Sequence, residues 1–110
     1  MQPKKLPNDF SYLTDMYQDD YFPDFLVDKI KAAIQDVVGF LESGEPTETE
    51  IQAVLDQMTS KINDLQEEFE ENESELETGA RDSIAATVEE VLQFFKVDID
   101  TEEALREREW

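Results

Sequence analysis

Apolar residues recur along this chain at steps of three and four rather than two, the period of a helix face and not of a strand. From Phe22 the positions Leu26, Ile30, Ala33, Ile34, Val37 and Leu41 mark one such face. Phe25, Val27, Val38 and Phe40 widen it, which predicts the central and most buried helix. Pro23 suits the first turn, where its missing N–H has no intrahelical partner, and Gly44 and Pro46 stop the run. Gly39 lies inside the pattern, where glycine costs up to about 1 kcal/mol against alanine, and is read as a point of close helix packing.

Thr47 and Glu50 form a T-x-x-E capping box that opens a long helix with Ile51, Val54, Leu55, Met58, Ile62, Leu65 and Phe69 in register. Ser74 and Glu77 repeat the box before Leu76, Ala80, Ile84, Val88, Val91, Leu92 and Phe95. Whether Asn72 to Ser74 breaks the chain or bends it stays open at this level. Ahead of these, Asn8 or Asp9 is a good N-cap for a short helix carrying Phe10, Leu13 and Met16 or Tyr17, ended by Asp19 and Asp20. At the other end Val97 to Asp100 reads as extended, and Asp100 with Glu103 caps a last short helix ending near Trp110. The expectation is an all-α fold, a compact bundle of four to five helices forming one domain over residues 1–110, with residues 1–7 frayed. Its core is expected to contain Ile30, Ile34, Val37, Leu55, Met58, Ile62, Ile84, Val88 and Val91.

Composition narrows the chemistry. With neither cysteine nor histidine among 110 residues, Ser-His and Cys-His dyads, thiol redox chemistry and nitrogen/sulfur zinc sites are excluded. Against 29 Asp+Glu stand only 9 Lys+Arg, a formal charge of -20 that repels phosphate backbones and anionic lipid. Direct nucleic-acid or membrane binding is therefore not expected, and a long-range electrostatic partner should be basic. No apolar run approaches the roughly 20 residues of a membrane span, and Met1 to Pro7 is not followed by the apolar stretch of a signal peptide. A soluble, cytoplasmic protein is the expectation.

The most unusual segment is Asp64 to Glu77, with acids at Asp64, Glu67, Glu68, Glu70, Glu71, Glu73, Glu75 and Glu77 and no basic residue. Glu73, Glu75 and Glu77 are explained as acids favoured by the positive end of a following helix. Asp64, Glu67, Glu68 and Glu71 have no such explanation. They stand at i, i+3 and i+4 spacings near a helix C-terminus, where each like pair costs roughly 0.2–0.5 kcal/mol and the dipole adds to the penalty. These four are the candidate partner-binding residues, and a solvated, merely solubilising face is the plain alternative. A metal reading is weaker. Glu67, Glu68 and Glu71 satisfy the E-E-x-x-E half of an all-helical pyrophosphohydrolase pattern, but no E-x-x-D follows. Asp98, Asp100, Glu102 and Glu109 fit positions of a calcium loop whose sharp turn would require glycine where Glu103 stands. No cofactor is expected. Six of the eleven aromatic residues, Phe10, Tyr12, Tyr17, Tyr21, Phe22 and Phe25, cluster between residues 10 and 25. They are read chiefly as core, with an interface as the other reading.

The run Tyr21-Phe22-Pro23-Asp24-Phe25-Leu26-Val27-Asp28-Lys29, the block Leu65-Gln66-Glu67-Glu68-Phe69-Glu70-Glu71-Asn72, the continuation through Ala80-Arg81-Asp82 and the ending at Trp110 resemble a small acidic bacterial family of unknown function. The resemblance spans nearly the whole chain. It implies a bacterial, intracellular, stand-alone protein, and it carries over no activity and no catalytic residues. The sequence thus favours a non-enzymatic acidic binding protein, an inhibitor or immunity-type protein that covers a basic surface of a partner. A carboxylate-based metal-dependent hydrolase, or a structural or stress protein with no electrostatic partner, are the alternatives.

Overall fold

A computed structural model describes residue 6 and residues 10–44 and 46–110. Among these residues there are five helices and no strand: α1 (Thr14–Gln18), α2 (Asp24–Glu42), α3 (Glu48–Glu71), α4 (Thr78–Phe94) and α5 (Thr101–Ala104). The fold is all-α, as its periodicity predicts. Its longest dimension is 46 Å, and the longest of the five helices, α3, rises about 36 Å over 24 residues at 1.5 Å each.

The most extensive packing is between α2 and α3. Three cross-contacts define their direction: Phe22 meets Phe69, Lys29 pairs with Glu68, and Asp36 pairs with Lys61. Rising numbers on one helix meet falling numbers on the other, so the pair is an antiparallel hairpin. The two short helices then fasten α4 to it. α1 touches both α2 and α4, and α5 touches both α3 and α4. All nine residues expected in the core are buried, with Leu26, Val27, Leu41, Phe69, Ala80 and Leu92 among those that join them. Trp110 is also buried, and Arg108 stacks over its ring at 5.6 Å.

Helix ends account for several differences from the sequence reading. At Thr47 the capping box forms: its hydroxyl accepts from the Glu50 amide at 3.2 Å, and its own amide donates to the Glu50 carboxylate at 2.9 Å. The expected second box does not form. α4 begins at Thr78 with Glu77 as an N-cap that makes no side-chain cap bond. Ser74 serves instead to end α3, its amide donating to the Phe69 carbonyl at 2.8 Å while the Glu73 amide donates to Glu70 at 3.1 Å. That is a Schellman termination, with Glu73 in the left-handed region at φ 59°. α4 ends in the same way around Lys96, at φ 55°, with Val97 donating to Leu92. The chain therefore breaks at Asn72 to Ser74 rather than bending.

The first helix begins at Thr14, so Phe10 precedes it; the caps foreseen at Asn8 and Asp9 lie outside the described residues. Leu13, at φ 52° and 1% exposed, opens α1, and its amide donates to the Thr87 hydroxyl at 3.1 Å. Within the segment expected to fray, Leu6 is described and held: it is buried, and its amide donates to the Glu42 carboxylate at 2.9 Å. Asp100 caps α5 by accepting from the Glu103 amide, but the helix ends at Ala104 and not near Trp110. Two assignments on α2 change as well. Phe25 is exposed, and Gly39 is exposed with open space where a Cβ would stand, so it marks no close approach.

Candidate functional site

α3 buries Leu55, Met58, Ile62 and Phe69 against the rest of the bundle. A helix that turns those positions inward must turn Asp64, Glu67 and Glu71 outward, and all three are exposed. Their carboxylates make no ion pair or hydrogen bond among the described residues. Glu68 differs. It lies on the flank of α3 that faces α2, half-buried, and accepts from the Lys29 ammonium at 2.7 Å. Of the four acids selected from the sequence, three share an open face at helical spacing, while the fourth is engaged in joining α2 to α3.

Cations are scarce around this surface. Lys29, Lys61 and Arg106 pair with Glu68, Asp36, and Asp56 plus Glu103 respectively, so each is already committed to a carboxylate. The Asp56–Arg106 pair is a two-pronged contact, with Nη2 at 2.7 Å from Oδ2 and Nε at 3.2 Å from Oδ1. Hydrogen bonding to that guanidinium holds the Asp56 carboxyl below the usual carboxylate range. Among the described residues no cation pairs with Asp64, Glu67 or Glu71.

Beyond the end of α3 the acidic surface continues into a second cluster that the sequence reading missed. Here Glu75 and Glu77, on the turn from Asn72 to Glu77, interact electrostatically with each other and with the Tyr21 phenol of the α1–α2 turn. A hydrogen bond to Glu77, reinforced by its charge, pushes the Glu75 carboxyl above its ordinary value. Partial desolvation and the carboxylates of Glu77, Glu75 and Asp19 likewise raise the Tyr21 phenol. Of Glu73, Glu75 and Glu77, read from the sequence as acids at or just before the first turn of a helix, Glu77 is the N-cap residue of α4, whereas Glu73 belongs to the termination of α3 and Glu75 is disfavoured as an anion by Glu77. The aromatic cluster divides too. Phe22 is core, Phe10, Tyr12 and Tyr17 are half-buried, and Tyr21 and Phe25 are 43% and 52% exposed. No periodicity could have separated them, because the choice depends on which side of the α1–α2 turn faces the bundle.

Two other features bear on chemistry. Glu48, Thr49, Gln52, Asp98, Ile99, Asp100 and Glu103 line an open cleft of about 450 Å³ between the start of α3 and α5. Among the described residues no three acids converge in a way that could hold a metal ion. Glu67, Glu68 and Glu71, the half-motif of a hydrolase, point in two directions, since Glu68 turns toward α2. Among the described residues no helix is long and apolar enough to cross a membrane.

The fold and this surface define the class: an acidic helical protein whose distinctive feature is an exterior of uncompensated carboxylates. Residues 6–110 match the model of a family of unknown function, DUF5713, and the chain belongs to that family. No curated protein and no solved structure matches it.

Proposed function

We propose that this chain is a binding protein, of the inhibitor or immunity type, that covers a basic surface of a protein partner with the outward face of α3. The carrying observation is that Asp64, Glu67 and Glu71 stand exposed in the last two turns of α3 with no cation partner among the described residues, where each acid opposes the helix dipole. Like charges three and four apart also repel one another there. Folding gains nothing from them, and a partner with a basic groove would. Side chains at this spacing lie about 5–6 Å apart, so the carboxylates can stand in for successive phosphates of a nucleic acid. We take the protein to be bacterial and cytoplasmic, the compartment in which such a protein would meet its target.

The test is a pull-down from the native host at low salt, repeated with Asp64→Lys, Glu67→Lys and Glu71→Lys combined. Glu68 is left alone because its reversal would break the contact with Lys29 and confuse binding with stability. The expected result is a partner whose capture fails in the variant and weakens steeply as salt rises toward physiological strength, where the Debye length contracts to about 8 Å. A partner indifferent to both salt and reversal would refute the proposal and leave the acidic face a solubility device.

A further inference from the structure

We propose that residues 101–110 are an exchangeable arm and that a second copy of this chain takes it, giving a dimer in which each copy lends its arm to the other. The seat of the arm is one flank of α3, whose side chains read the arm's main chain. Gln52 Nε2 donates to the Glu103 carbonyl at 2.9 Å, while the Asn63 side chain donates to the Glu107 carbonyl at 2.8 Å and accepts from the Glu109 amide at 3.0 Å. Between them Arg106 grips Asp56 through two hydrogen bonds. Gln52, Asp56 and Asn63 follow one another at helical steps of four and seven, so a single face of α3 makes all these contacts. Ala104, Leu105 and Trp110 anchor the arm by burial. Nothing in this set requires the arm and the seat to belong to the same molecule. A second copy carries an identical arm, so the occupant that fits the seat is the one observed in it, supplied by another chain.

The connection from α4 favours release of the arm. Lys96 stands in the left-handed region at φ 55°, a conformation that disfavours any side chain and suits glycine. The extended residues 97–100 follow it, and among the described residues Asp98 and Ile99 make no hydrogen bond. Beyond the Val97 amide, which donates to Leu92, this stretch is held by the partly buried side chains of Val97 and Ile99. Asp100 bonds forward, accepting from the Glu103 and Ala104 amides, so it moves with the arm. A short hinge that holds strain in the closed form invites exchange, because straightening it in a swapped dimer relaxes Lys96 while every contact of the seat is made again. Each copy gives and receives the same arm, so the assembly closes with two-fold symmetry. Opposing it are the freedom lost on association and the repulsion between chains of charge -20, which salt screens. The dimer should therefore strengthen with salt, opposite in sign to the capture proposed for the α3 acids.

The experiment is light scattering coupled to size-exclusion chromatography on the full chain, after incubation at millimolar concentration in mild urea, to let the arm open, and removal of the urea. A dimer that grows with salt is expected. Charge reversal at the Asp56–Arg106 pair distinguishes arm exchange from contact between outer surfaces. Asp56→Arg protein and Arg106→Asp protein each carry a mismatched pair, whether closed or swapped with themselves. In a mixed swapped dimer, Arg106 of one copy meets Asp56 of the other and the two introduced charges meet each other. Mixing should therefore raise the dimer-to-monomer ratio about tenfold over either protein alone, and a chain carrying both substitutions should behave like the unmodified one. Lys96→Gly, which relaxes the closed hinge, should lower the ratio about tenfold. Absence of a dimer of the unmodified chain at every salt concentration, or a mixture no more dimeric than its components, would overturn the proposal. A dimer indifferent to the reversals and to Lys96→Gly would overturn it in favour of ordinary contact between outer surfaces.

Discussion

Glu73 occupies the position of a Schellman termination where glycine is usual, at φ 59°, and this makes its replacement a quantitative test of how α3 ends. A side chain in the left-handed region costs roughly 1–2 kcal/mol. Glycine removes that strain but loses more conformational freedom on folding, about 0.5–1 kcal/mol. Glu73→Gly should therefore stabilise the protein by about 0.5–1 kcal/mol net of these two effects. Unfolding entropy of about 2.1 cal/mol/K per residue over 110 residues converts 1 kcal/mol into roughly 4 °C, so a rise in Tm of about 2–4 °C is expected. Glu73 is also an acid just past a helix C-terminus, so any neutral replacement relieves some repulsion. Glu73→Ala controls for that, because alanine keeps the backbone strain while losing the charge, and Glu73→Asn should fall between. Urea unfolding followed by far-UV circular dichroism at neutral pH measures all three. A Glu73→Gly protein no more stable than Glu73→Ala would show that position 73 is not held in the left-handed region, and would remove the structural reason for where Glu75 and Glu77 stand.

Three further outcomes are expected. Gly39→Ala in the exposed interior of α2 meets no neighbour and should stabilise by up to about 1 kcal/mol; destabilisation in the same urea assay would restore the close-packing reading of that glycine. Thr87→Val should cost about 1–3 kcal/mol by leaving the buried Leu13 amide without its acceptor, and Thr87→Ser should recover most of it; equal stability of Val and Ser variants would refute the role of that hydroxyl. Acidification should act with two signs. Glu75 has a raised carboxyl, so protonating it as pH falls through its folded value favours the native state, and with a net charge of -20 the Tm should rise or hold from about pH 7 to 5.5. Asp56 has a lowered carboxyl, so its contribution is complete above the unfolded value near 3.9 and is lost only below that, as pH falls through the folded value; Arg106→Met should reduce this acid-limb loss specifically. A Tm that falls steadily between pH 7 and 5.5 would mean that specific carboxylate contacts outweigh the general repulsion.

What the residues determine by themselves is local and periodic. The helical faces of α2, α3 and α4 follow from apolar steps of three and four, because a face that is buried must repeat with the turn of the helix; Ile30, Leu55, Ile62, Ile84 and Val88 could be placed in the core on that ground. The Thr47–Glu50 box and the Asp100 cap are likewise legible, since both partners lie within four residues. The outward direction of Asp64, Glu67 and Glu71 follows from the same periodicity. What tertiary structure alone decided involves partners distant in sequence. Glu68 has the same local setting as its neighbours, yet Lys29, 39 residues away, makes it a link between helices. Ser74 and Glu77 have the spelling of a capping box, but once Phe69 is buried its carbonyl takes the Ser74 amide to end α3, and α4 begins later. Tyr21 and Phe25 carry the same apolar signal as Phe22, and only the packing of Phe22 on Phe69 determines which aromatic is covered. That choice puts Tyr21 within electrostatic reach of Glu75 and Glu77, more than fifty positions away, by a route no local pattern encodes.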